Sequence, residues 1–302
     1  MGLDAVDGVL VTVPATVANL GPGFDCLGVA VGTHLELTVA RSERPEMAGG
    51  DPSIELEENL TYRAYSGAFA AAGEPAPPVR IEVVASYPPA RGLGASASAI
   101  VAGLVAARTI GGLDLTDNEL AQLAVRLEGH ADNVLPALFG GLVLASTDGW
   151  LRFTPSTAVA PMLCVARDPF RTADARRALP DHVARADAVA NAAATAALVA
   201  VLTGAESPEM LMMATVDRLH EPYRLPLMPE TLALYRGLRE DGVAAALSGA
   251  GPSIVALVPA DGVDHALAVA QRHLPAGWHV LAPGWDLLGA QARAAPPRGS
   301  SG

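Results

Sequence analysis

Residues 88–103 read PPARGLGASASAIVAG, a stretch with the residue types for gripping an anion. Gly92 and Gly94 let the backbone approach a ligand closely and take up positive φ. The small residues from Ala95 to Thr109 predict a helix that starts at Ala95–Ser96 and stops at Gly111–Gly112. The first N–H groups of such a helix have no partner inside it. Together with the positive end of the helix dipole, they suit a phosphate. Ser96 and Ser98 add hydroxyls that could reach a phosphate or a metal ion. The same residues also fit a plain glycine turn, capped by Ser, before an ordinary packed helix. The dinucleotide fingerprint GxGxxG is not met, because Ala97 stands at its third glycine position. The motif also comes late for an alternating parallel unit.

Lysine is absent from all 302 residues, so every basic side chain other than His is an Arg. That excludes a Walker A loop and a protein-kinase site, each of which needs Lys on the phosphates, and any Schiff-base enzyme. The formal net charge of −12 argues against nucleic acid as a partner, while leaving room for a local phosphate site. Cys26 and Cys164 are the only cysteines, which suits a reducing, cytoplasmic setting and supplies neither a disulfide framework nor a metal cluster. No window holds 18 uninterrupted apolar residues, and no basic stretch followed by an apolar core opens the chain. Neither a membrane span nor a secretory signal is expected.

The elements that must position the loop follow from periodicity. Val9–Pro14, His34–Val39, Val79–Ala85, Leu142–Ala145, Met162–Ala166, Val243–Leu247 and Ile254–Val258 are predicted strands. Asn19–Gly28 is a Gly-rich turn, Arg41–Pro52 a loop, and Tyr87–Gly94 the loop that feeds the phosphate helix. Helices are predicted over Asn59–Ala72, with Asn59 as N-cap, from a capping box at Thr116–Glu119 to about Gly129, and over His182–Leu202. Strands and helices mix without strict alternation, which predicts an α+β architecture. The length predicts two lobes, residues 1–155 and 156–293, with a boundary near Thr154–Thr157. A Pro/Gly/Ser-rich tail over 294–302 is expected to be disordered.

Three segments occur in order: PATVANLGPGFDCLG (Pro14–Gly28), PPARGLGASAS (Pro88–Ser98) and LSGAGPS (Leu247–Ser253). They resemble the three motifs of the GHMP kinase superfamily. The first segment, with EENLTYRAY (Glu57–Tyr65), LEGHADNVLPALFGG (Leu127–Gly141), RTADARRALP (Arg171–Pro180) and EPYR (Glu221–Arg224), is similar to the homoserine kinase family within it. The resemblance implies a ribosomal-S5-like N-terminal lobe and a ferredoxin-like C-terminal lobe, in a family whose members often form homodimers. It implies transfer of a phosphoryl group from ATP, with Mg²⁺, to the side-chain hydroxyl of homoserine, a step of threonine biosynthesis. Ala95 departs from the G-L-G-S-S pattern usual in the family, and Ala250 stands where the third motif often has Ser; neither change removes a backbone donor.

The resemblance also implies roles. Pro88, Pro89, Ala90, Arg91, Gly92, Leu93, Gly94, Ala95, Ser96, Ala97 and Ser98 match the ATP phosphate loop, and Asn59 matches a residue near the nucleoside. Ser96 and Glu128 match the Mg²⁺ ligands. Arg176 and Arg224 match positions that hold the acceptor carboxylate, a task for which a guanidinium fork is suited. Asp25 is the candidate for the ammonium group, with Asn133 nearby; Asn19 would hold the reacting hydroxyl, and His130 would help to position the substrate. None of these is a dependable general base, so direct in-line attack is expected, with positioning and charge compensation carrying catalysis. The Arg pair and Asp25 would serve any small amino alcohol, which keeps a related acceptor open. A non-catalytic ligand sensor on the same fold is the alternative of a different class.

Overall fold

The computed structural model describes residues 7–49 and 54–295. Seven strands form the first sheet: β1 (Gly8–Asn19), β2 (Gly23–Arg41), β3 (Glu46–Ala48), β4 (Val79–Ala85), β5 (Leu142–Ser146), β6 (Gly149–Phe153) and β11 (Gln291–Ala294). Their order is β11-β1-β2-β4-β3, with β5 paired to the inner half of β2 and β6 to β5. Four strands form the second sheet, β7 (Val159–Val165), β8 (Ala244–Leu247), β9 (Ile254–Pro259) and β10 (His279–Leu281), in the order β10-β7-β9-β8. Every pairing is antiparallel except β3 with β4.

Helices α1 (Leu60–Ala72), α2 (Ala95–Gly111), α3 (Asp117–Glu128) and α4 (Ala131–Phe139) cover the first sheet, burying Val9, Val11, Val13, Leu37 and Val39. The second half of the chain holds α5 (Thr172–Arg177), α6 (Arg185–Leu202), α7 (Leu211–Ala214), α8 (Glu221–Arg224), α9 (Pro229–Glu240) and α10 (Val263–His273). From these, α9 and α10 pack Leu234, Leu238, Ala266 and Val269 on the second sheet. A further core joins the two sheets, with Val17, Leu27, Val29 and Val31 from the first and Leu163, Val165, Val255 and Leu257 from the second. The architecture is two-lobed and α+β, as the sequence predicts.

Several local expectations change. Asn19–Gly28 is mostly strand: only Leu20–Pro22 turn, and β2 runs on for 19 residues. The turn is tight because Asn19, Leu20 and Gly21 all take positive φ. Within the expected loop Arg41–Pro52, Glu46–Ala48 add a strand parallel to β4, while residues 50–52 lie outside the described residues. Ala294, expected to open the tail, closes β11, and Ala295 N donates to Gly8 O at 3.0 Å; residues 296–302 lie outside the described residues. Residues 291–293, assigned by the sequence to the second lobe, pair with β1 of the first. The 153–159 junction carries the chain from one sheet to the other.

The capping box forms as predicted: Thr116 Oγ1 accepts from Glu119 N at 3.2 Å, and Glu119 Oε2 accepts from Thr116 N at 2.8 Å. Among the described residues, α6 alone is long and apolar enough to cross a membrane by length and composition. Its polar side chains serve the fold instead. Asn191 and Thr195 both donate to Pro22 O, so α6 braces the turn between β1 and β2.

Candidate active site

The phosphate loop is built by contacts on three sides. Thr16 N donates to Leu93 O at 3.1 Å, Ser248 Oγ to Gly92 O at 2.6 Å, and Phe170 N to Ala90 O at 3.0 Å. Gly92 and Gly94 have φ of 79° and 66°. A Cβ would lie 2.0 Å from Ser248 O at the first and 1.9 Å from Thr16 Oγ1 at the second. Each glycine therefore meets two needs, a left-handed backbone and a close approach. Gly94 is the N-cap of α2 and offers no side chain there, so the first N–H groups of the helix open toward the cavity.

That cavity, of about 440 Å³, brings together most of the sequence candidates: Asn19, Asp25, Asn59, Pro89, Ala90, Gly92, Leu93, Gly94, Ala95, Ser96, Glu128, His130, Asn133, Arg176 and Arg224 all line it. Four phosphate-loop candidates do not. Ala97 is buried in the helix packing. Ser98, expected to offer a hydroxyl to phosphate, is fully buried; its Oγ donates to Pro14 O at 2.9 Å and meets Tyr87 OH at 2.6 Å. Arg91 reaches away to Pro89 O and Arg167 O and braces the loop from outside. Pro88 lies outside the cavity wall.

Ser96 Oγ donates to Glu128 Oε1 at 2.6 Å, joining the first turn of α2 to the last of α3. Burial raises the Glu128 pKa, and the Ser96 hydrogen bond partly offsets that. Two adjacent hard oxygens in a position that resists free negative charge suit a divalent cation. No cluster of three or more His, Cys, Asp or Glu side chains able to hold a metal occurs among the described residues. A magnesium ion here would therefore take its remaining ligands from water and nucleotide phosphate, which is its habit.

Across the cavity from the loop, Asp25 sits in β2 with φ 55°. Its backbone N donates to Asn19 Oδ1 at 2.9 Å, while Asn19 Nδ2 donates to Gly249 O at 2.7 Å. Asn19 is thus a buried bracket that holds Asp25 against the 248–253 turn. One N–H and one lone pair of its amide remain for a substrate. Arg176, on α5, forks onto Asp25 through Nη1–Oδ2 at 3.3 Å and Nη2–Oδ1 at 3.2 Å. Both partners are about two-fifths exposed, so this pair contributes only about 0–1 kcal/mol. Arg224, 2% exposed, donates to Ala175 O through Nε and to Gly249 O through Nη1. Among the described residues its Nη2 has no hydrogen-bond partner, so half of the fork stays open to a ligand. His130 precedes α4; burial first, and the Arg176 charge second, lower its pKa, against the opposing charge of Asp25.

Asp132 also lines this wall, although the sequence points only to its neighbours His130 and Asn133. It is 3% exposed, and among the described residues its side-chain partner is Asn133 Nδ2, at a long 3.4 Å. Burial, then repulsion from Asp25, push its carboxyl up to about 7. The signal was present: a second acid next to Asn in HADN, on the first turn of a helix. Without the three-dimensional neighbour Asp25 it reads as an ordinary helix-start acid.

An open helix N-terminus beside an oxygen pair, facing a wall of opposite charges, is a site for phosphoryl transfer to a small charged alcohol, and both halves of the chain match one class of kinase. The sequence profile of the GHMP kinases N terminal domain matches residues 59–141, and that of the GHMP kinases C terminal region matches residues 206–276. The chain is 42% identical over 258 residues to the homoserine kinase of Thermosynechococcus vestitus, covering 82% of this chain and 85% of that protein. It is 44% identical over 276 residues to that of Streptomyces coelicolor, covering 87% and 88%. The chain belongs to the homoserine kinase family. The crystal structure of homoserine kinase from Cytophaga hutchinsonii superposes with a TM-score of 0.87 at 27% identity, over 96% of this chain and 98% of that one. The mevalonate kinase of L. major, at 16% identity and a TM-score of 0.68 over 92% and 95%, shares the fold alone.

Proposed function

We propose that this enzyme transfers the γ-phosphoryl group of ATP to the side-chain hydroxyl of L-homoserine, giving O-phospho-L-homoserine and ADP. One observation carries the acceptor assignment: the phosphate loop opens onto the same cavity as Asp25, Asp132, Arg176 and Arg224. Two carboxylates and two guanidinium groups match an α-amino acid, and they match no neutral sugar or simple alcohol. The name shared by relatives about 40% identical over most of the chain supports homoserine over another amino alcohol or a sensor role.

The N–H groups that open α2 would receive the ATP phosphates, and Ser96 and Glu128 would hold Mg²⁺. When bound, the ion would neutralise charge on the phosphate oxygens. The acceptor enters by exchange. Its carboxylate takes Arg176 and the open side of Arg224, and its ammonium takes Asp25 and Asp132, so the weak Asp25–Arg176 pair is replaced by two pairs with the ligand. Asn19 edges the hydroxyl, and Asn133 stands beside Asp132 at the ammonium. No residue is assigned as a general base; alignment of the hydroxyl with the γ-phosphate carries the step, and the proton leaves to phosphate oxygen or solvent. A cytoplasmic setting belongs to the same proposal, since Cys26 and Cys164 are both free thiols.

The product tests this reading. After incubation with MgATP and homoserine, ³¹P NMR is expected to show a phosphomonoester on the C4 oxygen. Phosphorylation at another position, or ATP hydrolysis without an ester, would overturn the acceptor assignment.

A further inference from the structure

Arg224 ends the segment DRLHEPYR (Asp217–Arg224), and His220 lies one helical turn before it with no exposed surface. The backbone there is pinned by Asp217. Its Oδ2 accepts from His220 N at 2.8 Å and Glu221 N at 2.7 Å, and its Oδ1 accepts from Leu219 N at 3.1 Å. The two ring nitrogens of His220 face groups of fixed character. Nε2 lies 2.8 Å from Gly21 O, and a carbonyl can only accept. Nδ1 lies 3.3 Å from Arg224 Nη1, and a guanidinium can only donate. Only one form satisfies both ends: the neutral ring with its proton on Nε2. The other tautomer would set N–H against N–H at Arg224 and lone pair against lone pair at Gly21. The imidazolium would aim an N–H at a cation.

We propose that His220, as this neutral tautomer, is a positioning residue for the acceptor: it aims Arg224 into the cavity and ties that aim to the Leu20–Pro22 turn, which leads into Asp25 of β2. Phe24 closes the arrangement. Its ring stacks on His220 with centroids 5.0 Å apart and 25° between planes, and the guanidinium carbon of Arg224 lies 4.9 Å from the Phe24 centroid. Asp25 is the next residue. The cation for the substrate carboxylate and the anion for its ammonium thus come from elements about 200 residues apart in sequence; Asn191 joins the two segments through Pro22 O and Arg218 N, while His220 joins the turn to the Arg224 side chain itself. It sets the spacing between the two charges, so it governs which amino alcohols fit. The reading rests on the acceptor assignment above.

Two alternatives are weaker. An Asp–His catalytic dyad is not formed, because Asp217 Oδ2 is 3.8 Å from Nε2 and the Asp217 oxygens are taken by three backbone N–H groups. A purely structural histidine does not account for the Nδ1 lone pair aimed at Arg224. Burial, with the Arg224 charge adding to it against Asp217, lowers the ring pKa, in keeping with the neutral form that the hydrogen-bond geometry requires.

Three measurements on the full-length enzyme test this. First, ¹⁵N spectra of wild type labelled at histidine are expected to show Nε2 protonated and Nδ1 bare for His220 at pH 7. A proton on Nδ1 would overturn the proposal. Second, His220→Gln keeps a donor for Gly21 and loses the acceptor for Arg224. It is expected to raise KM for homoserine about tenfold, with KM for ATP within about twofold. Third, His220→Asn places an oxygen near the Nδ1 position and is expected to recover part of that loss. Equal homoserine KM in wild type and His220→Gln, or parallel changes in both KM values, kcat and melting temperature, would mean a structural role only. If both variants fail to fold, the tautomer of the wild-type ring still decides. Wild type that does not phosphorylate homoserine while showing the expected tautomer would sink the acceptor assignment and leave the His220–Arg224 arrangement standing.

Discussion

Asp25 and Asp132 face one small volume, and their environments set them apart. Asp132 is buried, with a carboxyl raised to about 7, whereas Asp25 is two-fifths exposed and forked by Arg176. Because Asp132 must be ionised to take an ammonium group, acid should weaken the acceptor site. We expect kcat/KM for homoserine to fall about tenfold per unit below roughly pH 7, and Asp132→Asn to remove that limb of the profile. A wild-type profile that is flat between about pH 5.5 and 8 would refute the role. Asp25→Asn is expected to raise KM for homoserine about ten- to a hundredfold, with a much smaller change in kcat. Unchanged KM with lost turnover would make Asp25 a base. At this scale the sequence was most informative where several residues act through one backbone, as in Gly92 to Ser96. It was least informative where the role depends on a distant neighbour. Ser98 looks like a second phosphate hydroxyl, yet it faces Pro14 and Tyr87 because position 98 falls on the inner side of α2.

The elements explain why the loops hold their shape. Glu221, fully buried on α8, accepts from Leu247 N at 2.6 Å through Oε1, which joins the Arg224 segment to the strand that enters the 248–253 turn. Burial, then the Asp217 charge, raise its carboxyl from 4.5 to about 8. The native state therefore binds a proton that the unfolded chain releases, and the stability tied to it is full below about pH 4.5 and lost as pH rises through about 8. Glu221→Gln should flatten the pH dependence of melting temperature across that window. An identical dependence in both proteins would contradict the raised pKa. Gly92→Ala should cost about 1–3 kcal/mol of stability and impair ATP binding, because the new Cβ would meet Ser248 O while φ stays positive. Chemical denaturation and KM for ATP check both parts. Helix α2 and the α3 capping box were legible because their signals are local. Helix α9 was not predicted, since its Pro-rich entry and charged exit masked the buried stripe of Leu234 and Leu238. Residues 23–28 of β2 look like turn in sequence because Gly23 and Gly28 punctuate them and the apolar residues there do not alternate, whereas His34–Val39 of the same strand alternates and is legible.

Across the whole molecule, the lobes share a core: Val17, Leu27 and Val31 pack with Leu163, Val165 and Leu257. Strand β11 then returns the chain to the first sheet beside β1. Shared apolar packing of this kind predicts one cooperative unfolding transition by calorimetry rather than two. Two separated transitions would show that the lobes are independent. The ordered motifs made the two lobes legible from sequence. The return of Gln291–Ala294 was not, because a four-residue edge strand in a polar stretch has no pattern of its own.

The central claim is that a lysine-free phosphate site faces an acceptor site built for a zwitterion. Its most direct test is a coupled ADP-release assay with homoserine, mevalonate, shikimate and galactose at equal concentration. ADP release that depends on homoserine and is absent with the other three is the predicted result. Release with another of these alcohols but not with homoserine would contradict the acceptor assignment, and release with none would contradict the kinase itself.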